Sequence, residues 1–186
     1  EVYIPDGNFE LKARDEISIV GTPAKTIEFF KKLGVPTSSA RDALIVGGGR
    51  TSVYLAKQLL EMGIRVKIVE RDEERCEELN EMVPKAMIIC GDATDKDLLI
   101  EEGLLETEAF VATTNFDEEN IMLALFAKSL SSAKLITKVH RISYDDIIDQ
   151  LDVGSIIYPK FITSESIIKY VRAMKNSMGS NIETLY

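Results

Sequence analysis

From residue 43 onward, short apolar runs alternate with stretches of helical period. The apolar runs fall at 43–46, 66–69, 86–90, 109–113, 135–139 and 155–158. None alternates with polar residues, which marks strands buried on both faces and therefore a parallel sheet covered by helices. Between them, apolar residues recur every three or four positions over 51–62, 72–82, 96–102, 118–130 and 144–151, and each stretch predicts a helix. Six strands joined by right-handed crossovers give the α/β class, as a doubly wound parallel Rossmann sheet. A further amphipathic helix is predicted over 164–178, with Ile167, Ile168, Val171 and Met174 on one side. Packing on the same domain and a crossover or dimerisation role stay equally open for it.

The first 36 residues follow another pattern. Val2-Tyr3-Ile4, Phe9-Glu10-Leu11 and Ile17-Ser18-Ile19-Val20 read as strands, the first running into a Pro5-Asp6-Gly7 turn. Thr22 as N-cap and Pro23 at the first helical position open a helix carrying Ile27, Phe30 and Leu33, which Gly34 stops. So few residues cannot close a core of their own. They predict the C-terminal part of a small α+β domain, so the chain divides into 1–36, a linker at 37–40, the Rossmann domain at 41–160, and a helix with the start of a following module at 161–186.

Charge narrows the function. A net charge of −9 argues against nucleic acid as a partner, since neutralising phosphates needs an excess of Lys and Arg. The absence of Trp and the low aromatic content leave no platform for stacking nucleic-acid bases. Cys76 and Cys90 are far apart in sequence without metal-ligand spacing, which reads as two free thiols. The charged run from Glu70 to Arg75 reads as a solvated helix start in which only Glu70 needs a functional explanation.

The candidate site begins at Gly47-Gly48-Gly49-Arg50-Thr51-Ser52, between a strand and a helix, the context in which a glycine-rich loop cradles a pyrophosphate. Gly47 permits the tight turn and Gly49 the close approach of phosphate. Ser52 stands where Gly or Ala allows close helix–strand packing, and its hydroxymethyl group is expected to push the helix outward. Arg50 reaches either phosphate or solvent. Glu70 ends the second strand, 21 residues after Gly49, where an acid accepts the adenosine ribose hydroxyls and repels a 2′-phosphate. NAD is therefore favoured over NADP, although Arg71 beside it weakens that exclusion. Asp92 and Ala93 follow the third strand and Thr114 and Asn115 the fourth, at the carboxyl ends where ligands bind. Asp92 either accepts from the adenine amino group or caps the next helix. Lys138, His140 and Arg141 form a basic trio offering a cation to phosphate, and His140, the one histidine, reads as a surface residue rather than a catalyst.

Together, Ile45-Val46-Gly47-Gly48-Gly49-Arg50, Ile68-Val69-Glu70-Arg71, Gly91-Asp92-Ala93-Thr94 and the run from Thr114 to Met122 resemble the domains that regulate potassium conductance, the RCK or KTN family. Within that family they resemble the regulatory subunits of Trk potassium uptake. The resemblance extends through Val139-His140-Arg141-Ile142-Ser143-Tyr144 and Ile156-Ile157-Tyr158-Pro159, and upstream to Ile4-Pro5-Asp6-Gly7, Asp15-Glu16-Ile17 and Gly21. Asp117-Glu118-Glu119-Asn120 is its most specific piece.

The resemblance implies a regulatory subunit rather than an enzyme, at the cytoplasmic face of a membrane potassium transporter or channel. It implies assembly into homo-oligomers, a dimer or larger ring, gated by NAD(H) or by ATP or ADP. Gly47, Gly49 and Arg50 would then meet the phosphates, Glu70 the ribose, Asp92 and Ala93 the adenine, Thr114 and Asn115 the opposite wall, and Lys138 a phosphate, with Gly48 and Arg71 also among the cofactor-binding residues. It also implies two tandem copies of nucleotide domain plus small domain, with this chain spanning the junction, and a crossover role for the last helix. The competing readings are an NAD-dependent dehydrogenase and a ring scaffold with a vestigial site.

Overall fold

The computed structural model describes residues 9–10, 12, 23–34, 40–141, 151 and 153–179. The chain forms two compact units, residues 1–39 and 40–186. In the first, α1 spans Pro23–Lys32 and ends where Gly34 turns at φ +69°. Phe9 and Glu10, read above as part of a strand, lie outside any regular element. Leu11, the third residue of that run, lies outside the described residues. The expected strands at 2–4 and 17–20, the turn at 5–7 and the Thr22 cap lie outside the described residues, as does most of the helix expected at 144–151.

The second unit holds β1 (Asp42–Val46), α2 (Arg50–Glu61), β2 (Arg65–Glu70), α3 (Glu73–Met82), β3 (Met87–Cys90), α4 (Lys96–Glu101), β4 (Ala109–Ala112), α5 (Asp117–Leu130), β5 (Lys134–Lys138), β6 (Ser155–Ile157) and α6 (Pro159–Gly179). The strands pair in the order β3-β2-β1-β4-β5-β6, every pair parallel. All six expected strands are present, and the sheet is the doubly wound type that the apolar runs predicted. Helix α6 starts five residues before its predicted position. Pro159 is suited to a first turn, where its missing N–H leaves no bond unmade.

Alternate residues of the central strands feed two cores. Leu44 and Val46 of β1 pack with Phe110 and Ala112 of β4 against Leu99 of α4 and Leu123 and Ala127 of α5. Ile45 points the other way, with Val66, Ile68 and Val111, onto Val53 and Ala56 of α2 and Leu79 of α3. Burial on both faces is why these strands lack polar alternation. Strand order reverses around β1, whose neighbours are β2 and β4. The carboxyl ends of these strands therefore part into a crevice.

Candidate functional site

That crevice is lined by Gly47, Gly48 and Gly49 after β1, Glu70 and Arg71 at the end of β2, Gly91, Asp92 and Ala93 after β3, and Thr113, Thr114, Asn115, Phe116 and Glu119 after β4. Gly47 leaves β1 at φ +95°, a region that penalises any side chain, and a Cβ there would lie 2.9 Å from the Thr114 backbone nitrogen. The turn thus folds tightly against the loop after β4. Gly49 differs: a Cβ added to it meets nothing within 4 Å. The space beside it is open, and Gly49 lines the crevice.

Gly49 is also the N-cap of α2, and this helix begins with neither a side-chain cap nor an acid in its first turn. Its neighbours are closed: Asp72 accepts from the Arg75 backbone N–H at the start of α3, and Asp95 from that of Asp97 at the start of α4. The α2 terminus keeps its positive end directed at the crevice, which is the condition for binding an anion.

Glu70 fixes this loop in place. Its Oε2 accepts from the Gly48 N–H at 2.6 Å, while Oε1 accepts from the backbone N–H groups of Arg71 (2.9 Å) and Asp72 (3.0 Å). A carboxylate has about four acceptor positions, so one remains on Oε2 for a ligand hydroxyl. The loop's opposite polarity is held by Arg75, whose Nε donates to the Gly48 carbonyl at 2.8 Å. The charged run is therefore not merely a solvated helix start: Arg75 clamps the glycine loop, a role that requires knowing which way α3 faces. A Cβ on Gly48 would meet Leu79 Cδ1 at 2.4 Å and Glu70 Oε2 at 3.0 Å, so the middle glycine is closely packed by the same clamp. Cys76 donates from Sγ to the Glu70 carbonyl at 3.3 Å, and burial, with Cys90 beside it, pushes its thiol up to about 12. Both cysteines are free.

Ser52 lies in the first turn of α2. It is wholly buried, its hydroxyl donating to the Gly47 carbonyl and lying 2.9 Å from Thr113 Oγ1. Thr113 in turn donates to the Val46 carbonyl at 2.9 Å. The hydroxyl that the sequence pattern penalises is taken up by the Gly47 carbonyl and by the hydroxyl of Thr113, just after β4. Ser52→Ala is accordingly expected to cost about 1 kcal/mol, the worth of one buried hydrogen bond, with no change in fold, as read from urea midpoints.

Asp92 accepts through Oδ1 from both the backbone N–H and the hydroxyl of Thr94, each at 2.8 Å, and these bonds hold its carboxyl below the usual range. It does not cap α4, a role that falls to Asp95. Thr114 presents its N–H to Asn120 Oδ1 at 2.8 Å. Asn120 is wholly buried, and its Nδ2 donates to the carbonyls of Thr114 (3.2 Å) and Lys138 (2.9 Å). It ties the loop after β4 to the end of β5. The sequence marked Asn120 only as part of a characteristic run, without this function.

The basic trio separates. Lys138 is buried, with Nζ donating to the Thr113 carbonyl at 2.8 Å beneath the cleft, and burial lowers its ammonium against the opposing charge of Asp117. His140 and Arg141 give their backbone N–H groups to Asp117, whose Oδ1 also lies 3.0 Å from His140 Nδ1. Neither Lys138 nor Arg50 is among the residues lining the crevice.

Burial raises the Asp117 carboxyl, but the bonds from His140 and Arg141 outweigh it and leave it below its ordinary 3.8. A carboxyl lowered on folding stabilises fully above its unfolded value, and that contribution is lost as pH falls through the folded one. Asp117→Asn should therefore lower the urea midpoint at neutral pH and remove part of its decline below about pH 4. An unaltered acid limb would refute this.

Residues 43–159 match the TrkA-N domain family model. The chain is 30% identical over 186 residues to the Trk system potassium uptake protein trkA homolog 1 of Methanosarcina mazei, covering 100% of this chain and 44% of that protein. It is 33% identical over 168 residues to the Trk system potassium uptake protein TrkA of Vibrio alginolyticus, covering 90% of this chain and 36% of that one. It thus spans about two fifths of the length of these relatives. Among solved structures, the TrkA-N domain of inner membrane protein ybaL from Escherichia coli superposes with a TM-score of 0.63 at 18% identity, over 72% of this chain and 98% of that one. The GsuK channel bound to NAD superposes at 0.57 and 17% identity, over 74% of this chain and 27% of the channel. Matched by the family model over residues 43–159, more than half of its length, the chain belongs to the TrkA-N domain family.

Proposed function

We propose that this chain is a nucleotide-sensing part of a regulatory subunit of a potassium uptake system, that its crevice binds an adenine nucleotide, NAD(H) first and ATP or ADP second, and that binding adjusts potassium flux. The observation carrying this reading is the α2 terminus: uncapped, free of acid, and facing a glycine whose side-chain space is open. A pyrophosphate fits that place by charge and by room. Glu70 and Asp92 also line the crevice, and carboxylates suit ribose hydroxyls and an amino group and oppose a 2′-phosphate.

The family relatives named for potassium uptake and the structural neighbour described as a channel bound to NAD support the same reading. Under it the subunit sits at the cytoplasmic face of a membrane partner and assembles with copies of itself. Regulation requires the nucleotide to favour one arrangement of that assembly over another, since equal affinity for both shifts nothing. Its role is binding, not hydride transfer. Calorimetric titration of NADH, NAD and ATP into the chain tests the proposal. Saturable binding weakened by Glu70→Ala supports it. No heat with any of the three in correctly folded protein would favour a scaffold, and turnover of a substrate with NAD would favour a dehydrogenase.

A further inference from the structure

Arg71 and Phe116 face each other across the mouth of the crevice. Arg71 follows Glu70 at the end of β2, and Phe116 precedes α5 after β4. The Arg71 guanidinium carbon lies 5.7 Å from the centre of the Phe116 ring. Phe116 is 51% exposed, and both residues line the cleft. A single exposed phenylalanine needs no explanation. This one is covered from the opposite wall by a cation, and its backbone is fixed from two sides: its N–H donates to Thr114 Oγ1 at 3.2 Å, and its carbonyl accepts from the Asn120 N–H at 3.0 Å. Arg71 is likewise anchored through its N–H to Glu70 Oε1 at 2.9 Å, and its guanidinium reaches the ring from there. One partner is an aromatic shelf on a hydrogen-bonded backbone and the other a planar cation laid against it.

We propose that Phe116 is the stacking platform for the base of the bound nucleotide and that Arg71 is the cover the base displaces or slides beneath. The inference rests on the nucleotide-binding reading above. A guanidinium over a ring marks a π face open to a flat partner, and a base satisfies that face at least as well. With Glu70 next to Arg71, a ribose at the carboxylate brings its base between the two walls. The pair then accounts for preference between nucleotides that share a pyrophosphate: the larger adenine surface stacks better than a pyrimidine.

The test compares ADP, UDP and inorganic pyrophosphate by calorimetry on the wild-type chain and on Phe116→Ala and Phe116→Trp. Phe116→Ala should weaken ADP by roughly fivefold to hundredfold, reduce its advantage over UDP, and leave pyrophosphate affinity unchanged. Phe116→Trp should keep ADP binding. In the wild type, nuclear Overhauser contacts should join the adenine protons to the Phe116 ring. Thermal melts establish that each variant is folded, as expected for an exposed side chain whose backbone bonds survive. If the wild type binds ADP and Phe116→Ala binds it equally well, the platform is refuted while the nucleotide site stands. If the wild type binds no adenine nucleotide, both fall.

Discussion

Replacing Asn120 with alanine is expected to destabilise the Rossmann unit by about 3 kcal/mol, although no ligand is proposed to touch this residue. Its amide saturates one N–H and two carbonyls, those of Thr114 twice and Lys138 once. Alanine removes all three bonds, the one to Lys138 buried and the two with Thr114 partly buried, and each group left behind costs about 1–3 kcal/mol unless water enters. The loop after β4 would also lose its attachment to β5. Denaturant midpoints measure the first effect, and amide exchange at Thr114 measures the second. Asn120→Asp should be no better: its second oxygen would face two carbonyls with nothing to donate.

Gly49→Val should have the opposite profile, abolishing binding while sparing the fold. The backbone there is extended, at φ −69° and ψ 179°, which valine adopts readily, and the added Cβ meets no protein atom. Loss of glycine at this N-cap costs well under the stability of a domain. The two valine methyl groups would occupy the space that a pyrophosphate needs against the α2 terminus. Affinity for NADH or ADP should fall at least a hundredfold, about 3 kcal/mol, with an unchanged urea midpoint. Retained affinity would show that the phosphates lie elsewhere. Gly48→Ala would be a poor substitute for this experiment, because it collides with Leu79 and Glu70 and confounds binding with folding.

These two positions show where sequence reasoning reaches and where it stops. The sheet was legible because burial on both faces writes itself as unbroken apolar runs, and Gly47 and Gly49 because few other residues fit a turn opening a helix. Side-chain partners are another matter. Glu70 was read as a group for the ligand, yet it spends three bonds on its own backbone. Arg75 looked like a solvated charge and proved to hold the Gly48 carbonyl. Lys138 looked like a cation for phosphate and points its ammonium to the Thr113 carbonyl. Ser52 seemed too large for its place because its partner, Thr113, stands 61 residues away. Residue type and local spacing are carried by the sequence; the direction in which a side chain points is set by packing between distant elements.

We propose that one crevice, at the carboxyl ends of β1 to β4, receives the nucleotide. Backbone amide mapping by heteronuclear NMR during an NADH titration tests it most directly. The shifts should saturate and cluster at residues 47–52, at Glu70 and Arg71, at Asp92 and Ala93, and at residues 114–116. Saturable shifts centred on another face of the domain, or none at all in folded protein, would contradict it.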